Sequence, residues 1–121
     1  IQNFAQSFLE QKDIALNFSN DMQNLQKTLK IDFRQNIMLI AKEAINNAVK
    51  YSDCSKIDIV MNYKNDKFEL LISDNGKGFD MQSVKKGNGL KNMKMRAKSI
   101  GAEINFKNED GFLISLTKTK L

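Results

Sequence analysis

The chain has no histidine and no proline, and a single cysteine, Cys54. Without histidine, imidazole acid–base chemistry and histidine metal ligation are excluded within this chain. One cysteine and no histidine also leave no ligand set for zinc. A metal here has to be a hard cation held by oxygen, such as Mg²⁺. A lone thiol forms no internal disulfide, which suits a reducing compartment. Without proline, the breaks between elements fall to Gly, Asn, Asp and Ser. Also missing are an apolar run near the roughly 18 residues of a membrane helix and the pattern of a signal peptide. The sequence opens on Ile1 rather than Met, so it reads as a piece of a longer protein, and a membrane segment upstream of it stays open.

What is present suits one domain over residues 1–121, with 41% hydrophobic residues and a formal charge of +5. The charge is uneven. Lys77, Lys85, Lys86, Lys91, Lys94, Arg96 and Lys98 are set against one acid, Asp80. Such a field attracts polyanions, whether nucleotide phosphates, nucleic acid or lipid head groups. Charge alone is equally well explained by a solvated lysine face.

Phe4, Ala5, Phe8 and Leu9 share one face of a helix expected over residues 2–12, and Ile14, Leu16 and Phe18 alternate as a strand. Residues 20–31 are ambiguous. Ile37, Ile40, Ala41, Ala44, Ile45 and Ala48 recur at helical spacing and predict a helix over 33–51. Residues 56–63 and 68–73 alternate around Asn65-Asp66 as a hairpin. A glycine-rich loop at 74–89 leads to a helix at about 90–100 that stops at Gly101. Strands near 104–107 and 112–117 close the chain around Gly111. The sum is an α+β two-layer sandwich, with about three helices covering one face of a mixed, mostly antiparallel sheet of about five strands.

Polar residues cluster in three places. Glu43, Asn47 and Lys50 fall at four- and three-residue spacing along one edge of the long helix, bordering its apolar face. Ordinary surface polarity explains that edge as well as a cleft floor does. Asp74-Asn75-Gly76-Lys77-Gly78 follows an apolar strand, and its glycines allow close approach of backbone to a ligand. As a tight turn it would be unremarked. Gly87-Asn88-Gly89-Leu90 opens a helix, whose free N–H groups and dipole favour an anion. The chain has neither a P-loop nor a complete dinucleotide fingerprint.

In this order the three clusters resemble the GHKL ATPase superfamily of gyrase, a heat-shock chaperone, histidine kinases and mismatch-repair ATPases, whose architecture is the Bergerat fold. Within it, the run from Glu43 through Asn47, Ala48, Lys50 and Tyr51 to Ser52 is similar to the N box of sensor histidine kinases. Gly89-Leu90-Lys91-Asn92-Met93-Lys94-Met95-Arg96-Ala97 resembles the second glycine box of the subfamily paired with helix-turn-helix response regulators, as does a short lid at about 79–86.

The resemblance implies roles. Asn47 would give its side-chain oxygen to Mg²⁺, and Glu43 would be the catalytic carboxylate that orients or activates the attacking group. Lys50 would neutralise phosphate, and Tyr51 would pack near adenine or ribose. Asp74 would accept from the adenine amine, with Gly76 and Gly78 passing beneath the base. Gly87, Gly89, Leu90 and Lys91 would meet the phosphates, with Lys85 and Lys86 as further candidates. Two departures stand out: Phe112 follows Gly111 where the family often has a threonine hydroxyl near the base, and Met95 replaces a common glutamate.

The function implied is the catalytic ATP-binding domain of a two-component sensor histidine kinase. It would use Mg·ATP to phosphorylate a histidine on a separate dimerisation domain, and a response regulator would receive the phosphoryl group. With no histidine of its own, the chain is expected not to label itself. The expected setting is the cytoplasm, in a homodimer that is free or anchored in the inner membrane, with no nucleic-acid or membrane contact by this domain. Alternatives are an anti-sigma-factor-type serine kinase of the same superfamily or, further off, a nucleic-acid-binding module using the lysine cluster.

Overall fold

The computed structural model describes residues 1–22, 29–78, 88–108 and 110–120. Helix α1 (Gln2–Gln11) leads into strand β1 (Ala15–Asp21). Helix α2 (Ile31–Asn47) continues into a π-helical turn, Ala48–Ser52. A hairpin of β2 (Lys56–Lys64) and β3 (Lys67–Asp74) comes next. Helix α3 (Gly89–Ser99) precedes a second hairpin, β4 (Glu103–Asn108) and β5 (Phe112–Thr119).

The five strands form one sheet in the order β1-β2-β3-β5-β4, with β1 and β4 outermost. Only β1 and β2 pair in parallel, Leu16 opposite Ile57 and Phe18 opposite Ile59. A parallel pair needs a long crossover, and α2 supplies it. The other pairs are antiparallel. The sheet is thus mixed and mostly antiparallel, as the alternation in the sequence implies.

The period-2 pattern puts Ile57, Ile59 and Met61 of β2 and Phe68, Leu70 and Ile72 of β3 into the core. They meet Phe33, Ile37, Ile40, Ala41, Ala44 and Ile45 from α2 and Leu90, Met93 and Ala97 from α3. Burying each large apolar side chain stabilises the fold by about 1.5–3 kcal/mol. Phe33 meets Phe68 edge-on, with ring centroids 5.1 Å apart, and so ties the start of α2 to β3.

Turns in this proline-free chain rest on Asx residues. Asp13, Asp53, Asn65, Asp66, Asn88 and Asp110 all have positive φ, which short polar side chains tolerate best among non-glycine residues. Asn65 and Asp66 together make the two-residue hairpin turn that matches strand twist.

The main departure from the sequence reading is at α2. The expected helix over 33–51 is an α-helix from 31 to 47 continued by a π-helical turn to 52. Asp53 then ends it in the left-handed conformation, with φ 55°. Part of the ambiguous 20–31 segment, residues 23–28, lies outside the described residues.

Candidate functional site

The widened turn Ala48–Ser52 fixes where the polar residues at the end of α2 go. Asn47, the last α-helical residue, is only 7% exposed, and its Nδ2 is buried with no hydrogen-bond partner. Glu43 lies one turn earlier and is half-buried. Both reach the start of α3. A Cβ on Gly89 would collide with Glu43 Oε1 and stand 3.0 Å from Asn47 Nδ2. A larger residue there would have to displace the Glu43 carboxylate from the start of α3.

Asn88 enters α3 with φ 64° and makes no side-chain cap, so its side chain leaves the first N–H groups of the helix unanswered. Leu90 turns its side chain into the core, at 4% exposure, and can offer a ligand only its backbone. Lys91 is exposed in the first turn. Gly87 and the whole of the expected lid, 79–86, with Lys85 and Lys86, lie outside the described residues.

At its other end the turn delivers Ser52, fully buried, against the end of β3. The Ser52 hydroxyl donates a short hydrogen bond to Asp74 Oδ1. The same oxygen accepts from the N–H of Gly76 at 2.9 Å and of Phe112 at 3.4 Å. Asp74 itself is 8% exposed. Gly78 donates its N–H to Ser52 Oγ at 3.4 Å, and Lys77 donates to the Ser52 carbonyl at 2.9 Å. Asn75 anchors the flank: its Oδ1 accepts from the N–H of Ser55 at 2.9 Å and of Lys56 at 3.0 Å.

Lys50 is exposed, with its ammonium 5.2 Å from the centroid of the half-buried Tyr51 ring. Helical spacing predicts Lys50 on the same edge as Glu43 and Asn47. The step from Asn47 to Lys50 instead passes through the π-helical turn, where that spacing does not apply. Cys54 lies just beyond, its thiol 3.9 Å from the Ala48 carbonyl. Burial pushes this thiol pKa up, and the charge of Asp74 adds to the effect.

Of the residues singled out from sequence, Glu43, Asn47 and Gly89 converge, and Asp74, Gly76 and Gly78 form a second group. Ser52 joins that group as a residue to which sequence reading gave no role. Its signal was its place at the end of the N-box-like run; what hid its part was the unforeseen π turn. Met95, where a glutamate is common, is 60% exposed.

A cavity of about 1160 Å³ lies elsewhere, lined by Phe18, Leu29, Ile31, Met38 and Leu39 among others. It is mainly apolar and includes none of the polar groups just described. Chemistry therefore favours the two polar groups gathered around Gly89 and Asp74. Among the described residues no group of three or more His, Cys, Asp or Glu could hold a metal by itself. Mg²⁺, which keeps several waters and takes one or two protein oxygens besides phosphates, does not need such a group. The side-chain oxygens of Asn47 and Glu43, both placed at the start of α3, are ligands of that kind, whereas the unpartnered Nδ2 of Asn47 is a donor and suits a phosphate oxygen.

The sequence matches the family described as "Histidine kinase-, DNA gyrase B-, and HSP90-like ATPase" over residues 33–120. The sensor histidine kinase LiaS of Bacillus subtilis (strain 168) is 43% identical over 63 residues, covering 51% of this chain and 18% of LiaS. The sensor protein VraS of Staphylococcus aureus (strain COL) is 33% identical over 93 residues, covering 76% of this chain and 26% of VraS. The chain thus spans about a quarter or less of the length of these relatives.

Among solved structures, the blue-light activated histidine kinase of Erythrobacter litoralis EL346 superposes with a TM-score of 0.81 at 14% identity, covering 98% of this chain and 40% of that one. The catalytic domain of histidine kinase ThkA gives 0.74 at 18% identity, covering 97% and 85%. At these identities the likeness speaks for the fold. The family match across most of the chain does more, and the chain belongs to the histidine kinase-, DNA gyrase B- and HSP90-like ATPases.

Proposed function

We propose that this domain binds Mg·ATP between the loop 74–78 and the start of α3, and serves as the catalytic domain of a sensor histidine kinase. The observation that carries the reading is Asp74, a nearly buried carboxylate whose protein hydrogen bonds all fall on one oxygen. The other oxygen is left to accept from an adenine amine. Gly76 and Gly78 keep the chain low beneath the base.

At the other end of the cleft, the first N–H groups of α3 meet the phosphates, with Leu90 contributing backbone and Lys91 its charge. Asn47, with Glu43 beside it, would hold Mg²⁺, which when bound offsets phosphate charge. Lys50 adds a further cation, and Tyr51 flanks the base or ribose. The acceptor imidazole nitrogen attacks the γ-phosphorus, the bond to the β–γ bridging oxygen breaks, and ADP leaves. Glu43 accepts a hydrogen bond from the attacking group and so orients it. Such a reaction needs mainly positioning and charge stabilisation.

The acceptor histidine belongs to a separate dimerisation domain, since this chain has none. A response regulator takes the phosphoryl group onward, and the whole protein works as a homodimer with this domain in the cytoplasm. Among the described residues no helix is long and apolar enough to cross a membrane. The names of LiaS and VraS as sensors favour this reading over an anti-sigma-type serine kinase.

The test is calorimetric titration with Mg·ATP. Asp74→Asn keeps an oxygen for the protein donors but turns an amide N–H₂ towards the base, so donor faces donor. Affinity should fall at least about tenfold, because a site built for one hydrogen-bond pattern rejects its mismatch. Unchanged affinity overturns the adenine assignment.

A further inference from the structure

We propose that Ser52 sets nucleotide selectivity as a positioning residue: it locks the Asp74 carboxylate so that Oδ2 alone faces the base. The inference rests on Asp74 being the adenine acceptor. Every hydrogen bond that the described residues make to this carboxylate falls on Oδ1, from Ser52 Oγ, Gly76 N–H and Phe112 N–H. A carboxylate oxygen offers about two lone-pair sites, so Oδ1 is fully engaged and the group cannot rotate without losing donors.

Of these donors only the Ser52 hydroxyl is a side chain. It comes from across the fold, because Ser52 and Asp74 belong to different elements. The π-helical turn matters to this. One extra residue in a turn rotates the rest of the chain by about 100° relative to an α-helix, and this turn ends with the Ser52 hydroxyl on the carboxylate.

Ser52 also governs the loop beyond. Its hydroxyl accepts from Gly78 and its carbonyl from Lys77. Gly76 runs so close that a Cβ there would collide with both the Ser52 carbonyl and the hydroxyl. A buried hydroxyl holding an acid on one side and the loop on the other fixes both walls of an adenine pocket. It also supplies a side-chain hydroxyl to this acid in a chain where the position after Gly111 is Phe112.

The experiment compares ATP with inosine triphosphate, which carries a carbonyl where ATP has its amine. Both are titrated into the wild-type domain, Ser52→Ala and Ser52→Thr, with unfolding midpoints measured alongside. A locked Oδ2 favours ATP, and Ser52→Ala should reduce the ATP-to-inosine-triphosphate preference by about tenfold, the scale of one charge-assisted hydrogen bond. Ser52→Thr, which restores the hydroxyl, should recover it.

A preference unchanged in Ser52→Ala overturns the proposal and leaves the adenine reading standing. So does a Thr variant that folds normally but is as indiscriminate as the Ala variant. A wild type with no preference overturns both. Should Ser52→Ala fail to fold, Ser52→Cys, close in size but a weak donor, carries the same comparison.

Discussion

The short π-helical segment has two ends of opposite character. At Ser52 the hydroxyl, the carbonyl and one oxygen of Asp74 are all engaged by the protein: hydroxyl on carboxylate, loop N–H groups on hydroxyl and carbonyl. At Asn47, five residues earlier in the chain, a buried amide nitrogen has no partner, and the helix start opposite it has no side-chain cap. Folding completes one end. The other is left for something to complete, since unsatisfied buried polar groups are rare and costly. On the proposed reading, the base-facing end is set by its own hydrogen bonds before nucleotide arrives, and the phosphate-facing end is satisfied by nucleotide.

The largest effect that could break this contrast is at Asp74. Asp74→Ala strips the acceptor from Ser52, Gly76 and Phe112 at once, and should cost about 2–4 kcal/mol of stability without any ligand, given about 1–3 kcal/mol for each buried group left unpaired and partial relief by water. Chemical denaturation of the nucleotide-free protein measures it. A cost below about 0.5 kcal/mol would mean that the completed end is not in fact held by its hydrogen bonds.

Asn47→Leu should act in the opposite sense. It replaces an unanswered amide by an apolar group of similar size, so the nucleotide-free protein should be unchanged or up to about 1 kcal/mol more stable. Calorimetry should show Mg·ATP affinity reduced at least about tenfold. Destabilisation as large as that of Asp74→Ala would erase the distinction between the two ends.

The smallest effect concerns Cys54, which reads the charge of the completed end. Thiolate is the reactive form, and burial followed by the Asp74 charge raises this thiol pKa. The folded protein therefore holds the thiol proton to higher pH than the denatured chain. Its rate of alkylation by iodoacetamide should rise at higher pH, and Asp74→Asn, which removes the negative charge, should move that rise back down. A pH–rate curve indifferent to Asp74→Asn would show that the carboxylate charge does not reach Cys54.

Much of this molecule is legible in its sequence. The 3.6-residue repeat from Ile37 to Ala48 and the alternation of Ile57, Ile59 and Met61 arise from burial of one face, and the structure has both. The Asn65-Asp66 hairpin is dictated by turn chemistry. The parallel seam of β1 was not readable, because pairing partner and direction are set by where α2 returns the chain.

The change from α to π geometry at the end of α2 was not readable for a related reason. Apolar spacing does not separate an α turn from a π turn, and the turn ends on a tertiary bond, from Ser52 to Asp74, that the local pattern does not show. In the candidate site, Asp74, Gly76, Gly78, Asn47 and Glu43 stood out by residue type and order. Ser52 did not, because its hydroxyl gains meaning only from a partner 22 positions away. The step from Asn47 to Lys50 passes through the same turn.

The outer strands have a consequence for how copies of this domain coexist. A free strand edge is a template for another chain's strand, and edges are blunted by brevity and charge. Here β1 carries Asn17, Ser19, Asn20 and Asp21, and β4 carries Glu103, Asn105, Lys107 and Asn108, all exposed in strands of 7 and 6 residues. Neither border invites strand addition. Copies of such a domain brought close together can remain separate bodies, without one sheet zipping onto the next.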